Sequence, residues 1–271
     1  AILFNYCQTP IGKELVESMR IHTHQKYIQT ALSQTQEYKF IRSANEYFPA
    51  DFVVDIRKDL KLLGIPGAQL VGEQWLLVRK LADHMQQVFR WFDAERKQAY
   101  SNLYTILDGA YYEKQIIDSI DAIIDERGNV KDNASEDLAK IRGQLFKTRQ
   151  TLRRIFEKVV AKLAKSGYTA DIDESFSNGR RVVAVFSEYK RQVKGFFHGE
   201  SDSRKTAFIE PEETIELNNE IYELEQEEQR EVQRILRMLT SELAPYASLL
   251  LSYASIVGQY DFIRAKALLA I

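Results

Sequence analysis

The spacing of apolar residues predicts a series of helices over roughly the first 125 residues. In residues 71–92 apolar side chains recur three or four positions apart, which is the period of one helix face. Shorter helices are predicted over residues 55–63 and 113–124, and Thr23 is expected to cap a helix that ends near Ser43. This part of the chain is therefore predicted to form a helical core.

Two long helices are predicted in the second part of the chain. The first covers residues 133–167, where Asn133 and Glu136 have the spacing of a capping box. Its apolar positions follow the three-four spacing of a coiled-coil seam. Those positions are Leu138, Ile141, Leu145, Thr148, Leu152, Ile155 and Val159. The second helix covers residues 211–243, and Pro211 is expected in its first turn.

Between these helices the apolar period changes to two, and residues that favour β-structure appear. Three short strands are predicted over residues 181–186, 193–198 and 206–209, and Asn178-Gly179 has the chemistry of a tight hairpin turn. The predicted fold class is mainly α: a helical core with two long antiparallel helices that carry a small antiparallel β-sheet at their tip.

The two long helices carry opposite charge. Residues 140–165 contain nine basic residues and one acidic residue, a local net charge of +8, and residues 211–231 contain nine glutamates and one arginine, a local net charge of −8. Complementary charge of this kind favours pairing of the two helices in one register. Lysines in excess of that pairing could also face a nucleic acid.

Composition narrows the class of protein. The 271 residues have a formal net charge of −2, so any nucleic-acid signal must be local. A single cysteine, Cys7, excludes an internal disulfide and predicts a reducing, cytoplasmic setting. No apolar run is long enough for a membrane span, and neither a secretory signal nor a metal-ligand set is apparent. Because the sequence begins with Ala1 and ends on the apolar residues 267–271, we expect it to belong to a longer protein.

Residues 199–206 have the spacing of a phosphate-binding loop, with Lys205 and Thr206 in the last two positions. Arg204 replaces the second glycine of such a loop, and its side chain would crowd the backbone that must wrap a phosphate. The segment that follows reads as a strand, whereas a phosphate loop leads into a helix. We therefore interpret this segment as a turn between strands.

The β segment has a local excess of basic residues. Between residues 176 and 206 there are seven basic and three acidic residues, a local net charge of +4. The candidate phosphate contacts are Arg180, Arg181, Lys190, Arg191, Lys194, Arg204 and Lys205. Lys190, Arg191 and Lys194 are the first choice among them. The alternative is a hairpin whose exposed edges are kept soluble by Lys and Arg.

The β segment and the helix after it resemble the clamp and returning lever helix of MutS-type proteins. The resemblance is carried by Asn178-Gly-Arg-Arg-Val-Val-Ala-Val-Phe-Ser-Glu-Tyr-Lys-Arg-Gln-Val-Lys-Gly-Phe-Phe-His198, by Phe208-Ile-Glu-Pro211 and by Glu216-Leu-Asn-Asn219. Residues 131–142 are similar to the outgoing lever, and residues 260–267 to the segment before that family's ATPase domain. The resemblance is closer to the second MutS branch, which lacks the N-terminal mismatch-reading domain.

This resemblance implies an order of domains. It starts with a helical core (1–132), an outgoing lever helix (133–167) and a small β clamp (168–210). A returning lever helix (211–245) and a helix that rejoins the core (246–271) follow, ahead of an ATPase domain outside this sequence.

The resemblance also implies a function. Such proteins are homodimers that clamp DNA, duplex or branched, under control of an ATPase that uses ATP and Mg²⁺, in mismatch repair or in suppression of recombination. Some are endonucleases, and some act on the ribosome or RNA. For this chain we expect no catalytic residues, no metal, no cofactor, no enzymatic activity and no membrane partner. A helical dimerisation scaffold with little nucleic-acid affinity is the alternative.

Overall fold

The structure is a computed structural model that describes residues 2–170 and 175–271. The chain divides into two compact units. One contains the residues up to Ala134 together with Arg234–Ile271, and the other contains Ser135–Gln233. The domain boundaries inferred from the resemblance remain predictions.

The described residues form helices and one small sheet. The helices are α1 (Ile2–Tyr6), α2 (Pro10–Glu17), α3 (Gln25–Ser43), α4 (Arg57–Leu63), α5 (Gly72–Trp91), α6 (Ala94–Ala99), α7 (Ser101–Tyr104), α8 (Lys114–Ile123), α9 (Glu136–Lys165), α10 (Glu212–Leu243) and α11 (Ala247–Leu269). The strands are β1 (Ser175–Ser177), β2 (Arg180–Phe186), β3 (Gly195–Glu200) and β4 (Thr206–Pro211). The mainly α class with a small antiparallel sheet is as predicted.

The first unit is built around the apolar faces of α5 and α11. Six apolar side chains of α5 are fully buried, whereas Leu76, Leu77 and Phe89 are only half-buried. The fully buried members are Trp75, Val78, Leu81, Ala82, Met85 and Val88. From α11, Tyr253 and Tyr260 lie in the same core, and their hydroxyl groups donate to the backbone carbonyls of Tyr111 and Leu103. The hydroxyls therefore have partners, which makes burial of these rings tolerable.

A buried carboxylate joins α11 to the start of α2. Asp261 accepts hydrogen bonds from the backbone N–H groups of Gln8 and Thr9 and from the Thr9 hydroxyl, at 2.7–3.1 Å. The Thr9 hydroxyl in turn accepts from the N–H of Gly12 and caps α2. Gly12 is required here, because a Cβ at this position would lie 2.5 Å from the Asp261 carboxylate.

Two predicted helix starts are wrong. Helix α3 ends at Ser43 as predicted, but it begins at Gln25 after His24, and Thr23 does not cap it. Helix α9 is capped by Ser135, whose hydroxyl accepts from the N–H of Leu138, and not by Asn133. Ser135 also donates to the Glu231 carboxylate of α10 at 2.7 Å, a tertiary bond that Asn133 does not make.

In the second unit, α9 and the first two-thirds of α10 run antiparallel and pair through charge. Arg142 bonds Glu228 at 2.7 Å and Arg149 bonds Glu225 at 2.6 Å. As the residue number rises along α9 it falls along α10, which is the antiparallel register predicted from the opposite charges. In these two ion pairs between described residues, the basic partner is an arginine.

The sheet has four antiparallel strands in the order β1-β2-β4-β3, one more than predicted. Strands β1 and β2 are joined by Asn178-Gly179, and both residues have positive φ, at 51° and 77°. This is the conformation that a type I′ turn requires, so the turn predicted at these two residues is confirmed. Pro211 is the last residue of β4 and pairs with Gly195, whereas the sequence placed it in the first turn of α10.

One face of the sheet packs on the C-terminal part of α9. The core here consists of Phe156, Val183, Val185, Val193, Ala207 and Ile209. Phe156 is 3% exposed, whereas its neighbour Ile155 is only half-buried. The predicted seam places Ile155 inward. A helix has 3.6 residues per turn and a seam of period 3.5 drifts around it, so beneath the sheet position 156 takes the inward place.

We predict that Phe156→Ala destabilises the second unit by about 3–5 kcal/mol, because it removes a buried ring and leaves a cavity. Hydrogen exchange of the β2–β4 amides measures this, since both tryptophans, Trp75 and Trp91, lie in the other unit. Ile155→Ala is the matched control and should cost less. Equal loss of protection in the two variants would contradict this assignment of the core.

Candidate nucleic-acid interface

Two loops meet at one end of the sheet, where β2 ends and β4 begins. Ser187 follows β2, and its hydroxyl and N–H donate to the backbone carbonyls of Arg204 and Lys205, at 2.8 and 3.0 Å. These bonds hold residues 187–191 against residues 201–205, and we call these two segments the loop end. Side chains from separate parts of the sequence are therefore presented on one surface.

Three predicted cations stand exposed at the loop end: Arg191, Arg204 and Lys205. None of them forms an ion pair within the part of the chain that the structure describes. Arg204 has a positive φ of 57°, so the turn directs it outward at a position that few non-glycine residues occupy. The segment from Thr206 is a strand, which confirms that residues 199–206 are a turn between strands.

Three other predicted cations are engaged by the protein itself. Lys190 pairs with Glu200 at 2.6 Å, and Arg180 bonds Glu210 at 2.8 Å and Asn219 at 2.5 Å. Arg181 lies over the rings of Phe156 and Phe176, at 5.4 and 5.6 Å from their centroids. Because the charged groups of these three side chains already have partners within the protein, they are less available to contact phosphates.

Lys194 is exposed, but it lies at the opposite end of the sheet. Its backbone carbonyl accepts from the N–H of Glu212 at the start of α10, and the next residue, Gly195, pairs with Pro211. The chain between β2 and β3 therefore runs back along the sheet, with Val193 buried under it. The structure separates Lys194 from Lys190 and Arg191, with which the sequence grouped it.

A buried carboxylate, Glu210, joins three elements at this opposite end. It is 2% exposed and bonds Arg180 of β2, His198 of β3 and Asn218 of α10, each at 2.8 Å. Burial raises the pKa of Glu210, but the hydrogen bonds from His198, Asn218 and Arg180 outweigh it, and the pKa lies below its ordinary value. Glu210 is thus held ionised as the anchor of the sheet.

Sequence reasoning missed this anchor, although the quoted motifs contain Glu210, Asn218 and His198. The sequence does contain one signal, the glycine at position 195 within the predicted strand. In the structure Gly195 has a φ of 154°, and a Cβ there would lie 2.1 Å from the carbonyl oxygen of Glu210. A glycine inside a strand marks such a close backbone approach. The glycine therefore indicates where β3 approaches β4 closely, but it does not indicate which side chains meet there.

Other chemistry is limited in the described residues. No group of three or more His, Cys, Asp and Glu side chains is arranged to hold a metal ion in residues 2–170 and 175–271. Burial, and secondarily the charge of Asp261, raises the pKa of Cys7 to about 11, so this residue is a thiol at neutral pH. Across the same ranges, no helix combines the length and the apolar character needed to cross a bilayer.

We predict that Glu210→Gln weakens the sheet at neutral pH and flattens its response to acid. A depressed folded pKa stabilises the fold above the ordinary pKa near 4.5, and that contribution is lost as pH falls through the folded value. Hydrogen exchange of the β2–β4 amides between about pH 5 and pH 3 measures the effect. Glu223→Gln, an exposed glutamate of α10, is the control and should behave as wild type. The same acid response in all three proteins would contradict an ionised anchor.

Comparison with known proteins places the chain in a family. It is 31% identical over 267 residues to Endonuclease MutS2 from Geobacillus sp. (strain WCH70), covering 98% of this chain and 34% of the relative. It is 27% identical over 271 residues to Endonuclease MutS2 from Aquifex aeolicus and 30% identical over 267 residues to that from Ligilactobacillus salivarius. Coverage is 98% of this chain and 34% of the relative in both cases. No family model matches.

The similarity extends over nearly the whole of this chain, including the segments that carried the resemblance to the second MutS branch. The chain is therefore a member of the MutS2 type of the MutS family, and it spans about a third of the length of the curated relatives it matches.

Proposed function

We propose that this chain is the DNA-binding core, lever and clamp portion of a MutS2-type protein, and that the loop end of the sheet contacts the phosphate backbone. The observation that carries this proposal is the set of exposed cations Arg191, Arg204 and Lys205, which two loops bring to one surface. Cations without a carboxylate partner are available to neutralise phosphates. Contacts of this kind hold duplex or branched DNA without reading its sequence.

The helix pair supports the clamp part of this proposal. Helices α9 and α10 run antiparallel and are joined by Arg142–Glu228 and Arg149–Glu225, and the anchor at Glu210 ties the sheet to α10. A sheet fixed in this way can transmit movement of the helices to the loop end. In the full-length protein, we assign the movement to an ATPase domain that binds ATP and Mg²⁺, in a cytoplasmic homodimer with endonuclease activity.

A second location for the contact is favoured by the lysines of α9. Lys140, Lys147, Lys158, Lys162 and Lys165 are exposed and form no ion pair within the described residues. Arg142 and Arg149 form ion pairs with α10, but these lysines remain available to a nucleic acid, which could be DNA or, at a ribosome, RNA. A dimerisation scaffold with little nucleic-acid affinity is the outcome if neither surface binds.

We predict that the triple variant Arg191→Glu, Arg204→Glu, Lys205→Glu binds duplex and branched DNA more weakly. Each lost phosphate contact should reduce the slope of log K against log salt by about 0.9, so the slope should fall by nearly three. Fluorescence anisotropy over a salt series measures both quantities, and circular dichroism should show unchanged helix content because the substitutions lie outside the helices.

Two variants serve as controls for that experiment. The triple variant Lys58→Glu, Lys61→Glu, Lys80→Glu makes the same change in net charge at exposed positions of the other unit and should keep the wild-type slope. Lys194→Glu should also bind nearly as wild type, because it lies at the opposite end of the sheet. Affinity and slope unchanged in the loop-end variant would mean that the sheet is only a capped hairpin.

We predict that the purified chain hydrolyses neither ATP nor DNA. Residues 199–206 form a strand-turn-strand segment, and phosphoryl transfer requires a loop that wraps the phosphates and positions Mg²⁺. Phosphate release and cleavage of a labelled duplex are the assays. Turnover that is lost in the Lys205→Ala variant would contradict this prediction.

A further inference from the structure

A cleft in the first unit, which we call the helical unit, combines an apolar lining with basic groups. It lies between α2, the start of α3 and the end of α11 and has a volume of about 350 Å³, within the range of small-molecule sites. Its aliphatic wall consists of Leu15, Met19, Ile28, Ala31 and Leu32. Two of these side chains are well exposed, Met19 by 55% and Leu32 by 65%. The cleft is therefore open to a ligand.

Lys266 of α11 lines this cleft without a carboxylate partner. It forms no ion pair with any residue in the described ranges, and its ammonium group lies 4.5 Å from the centroid of the Phe262 ring. Burial lowers the pKa of Lys266, because the surroundings disfavour the charged form. An ammonium group in apolar surroundings gains most from a bound anion, which would supply the missing partner.

Arg20, the other basic residue of the lining besides His22, has the same sign of charge as Lys266. Arg20 and His22 lie at the cleft together with Tyr27, whose ring is 4.1 Å from that of His22, and the lining contains no aspartate or glutamate. A cationic ligand would meet repulsion here, and an uncharged apolar ligand would leave Lys266 unpaired. The charge of the cleft thus complements a negative group, and its aliphatic wall complements an alkyl body.

We propose that this cleft binds a small amphiphilic monocarboxylate, with the carboxylate at Lys266 and the alkyl chain along Leu15, Ile28 and Leu32. The site lies in the helical unit and does not depend on the proposed role of the loop end. A ligand here would contact α2, α3 and α11 at once and would stabilise their packing by mass action.

Titration calorimetry of the whole chain tests the proposal with three probes that share a ten-carbon chain and differ in the charge of their polar group. Decanoate should bind, and decanol and decyltrimethylammonium should bind at least about tenfold more weakly because they lack the anion. Lys266→Met keeps an unbranched side chain of similar length without the charge. It should weaken decanoate by about tenfold or more while leaving the affinity for decanol unchanged. Lys26→Met, exposed and outside the lining, is the matched control.

A thermal melt of each variant, followed by circular dichroism, verifies that the helical unit remains folded. The proposal is wrong if decanoate binds no better than decanol, or if Lys266→Met leaves the preference for decanoate intact. It is also wrong if sedimentation shows that Leu32→Glu abolishes self-association and that decanoate does not compete. The cleft would then be an interface between copies of this chain.

Discussion

The ionised carboxylate of Glu210 is the interaction on which the second unit depends most. A buried carboxylate is costly unless it is hydrogen-bonded, and Glu210 receives bonds from β2, β3 and α10. These bonds fix the base of the sheet against the start of α10, while the apolar core around Phe156 fixes one face against α9. Because α9 and α10 both hold the sheet in place, the sheet can present the loop end as a rigid surface.

Contacts within the second unit decide which cations remain available. The sheet carries seven basic residues, but Arg180 is needed by Glu210, Lys190 by Glu200, and Arg181 lies over two aromatic rings. In the helix pair, Arg142 and Arg149 of α9 bridge to glutamates of α10, whereas the lysines of α9 remain solvated. This division follows from chemistry, because the planar guanidinium group makes two directed bonds at once, whereas the ammonium group is a strongly hydrated point charge.

Much of the fold could be predicted from the sequence, since helical period, the Asn178-Gly179 turn and opposite helix charges are local signals that agree with one another. The start of α9 could not, because Asn133 and Ser135 are both good caps and a bond to Glu231, far along the chain, selects Ser135. Strand β1 was missed because three residues carry too little periodicity. For the candidate site, the sequence predicted an excess of basic residues but not which of them would be exposed together. Charge counting treats Arg180 and Arg191 alike, and the tertiary partners of Arg180, Glu210 and Asn219, distinguish them.

We propose that nucleic acid contacts the loop end of the sheet and not the exposed lysines of α9. Lysine acetylation footprinting with and without a branched duplex, read by mass spectrometry, tests this most directly because both surfaces are compared in one sample. If DNA lies at the loop end, it should protect Lys205 and leave Lys147, Lys158 and Lys162 as reactive as in the free protein. Protection of the α9 lysines with Lys205 unchanged would contradict it.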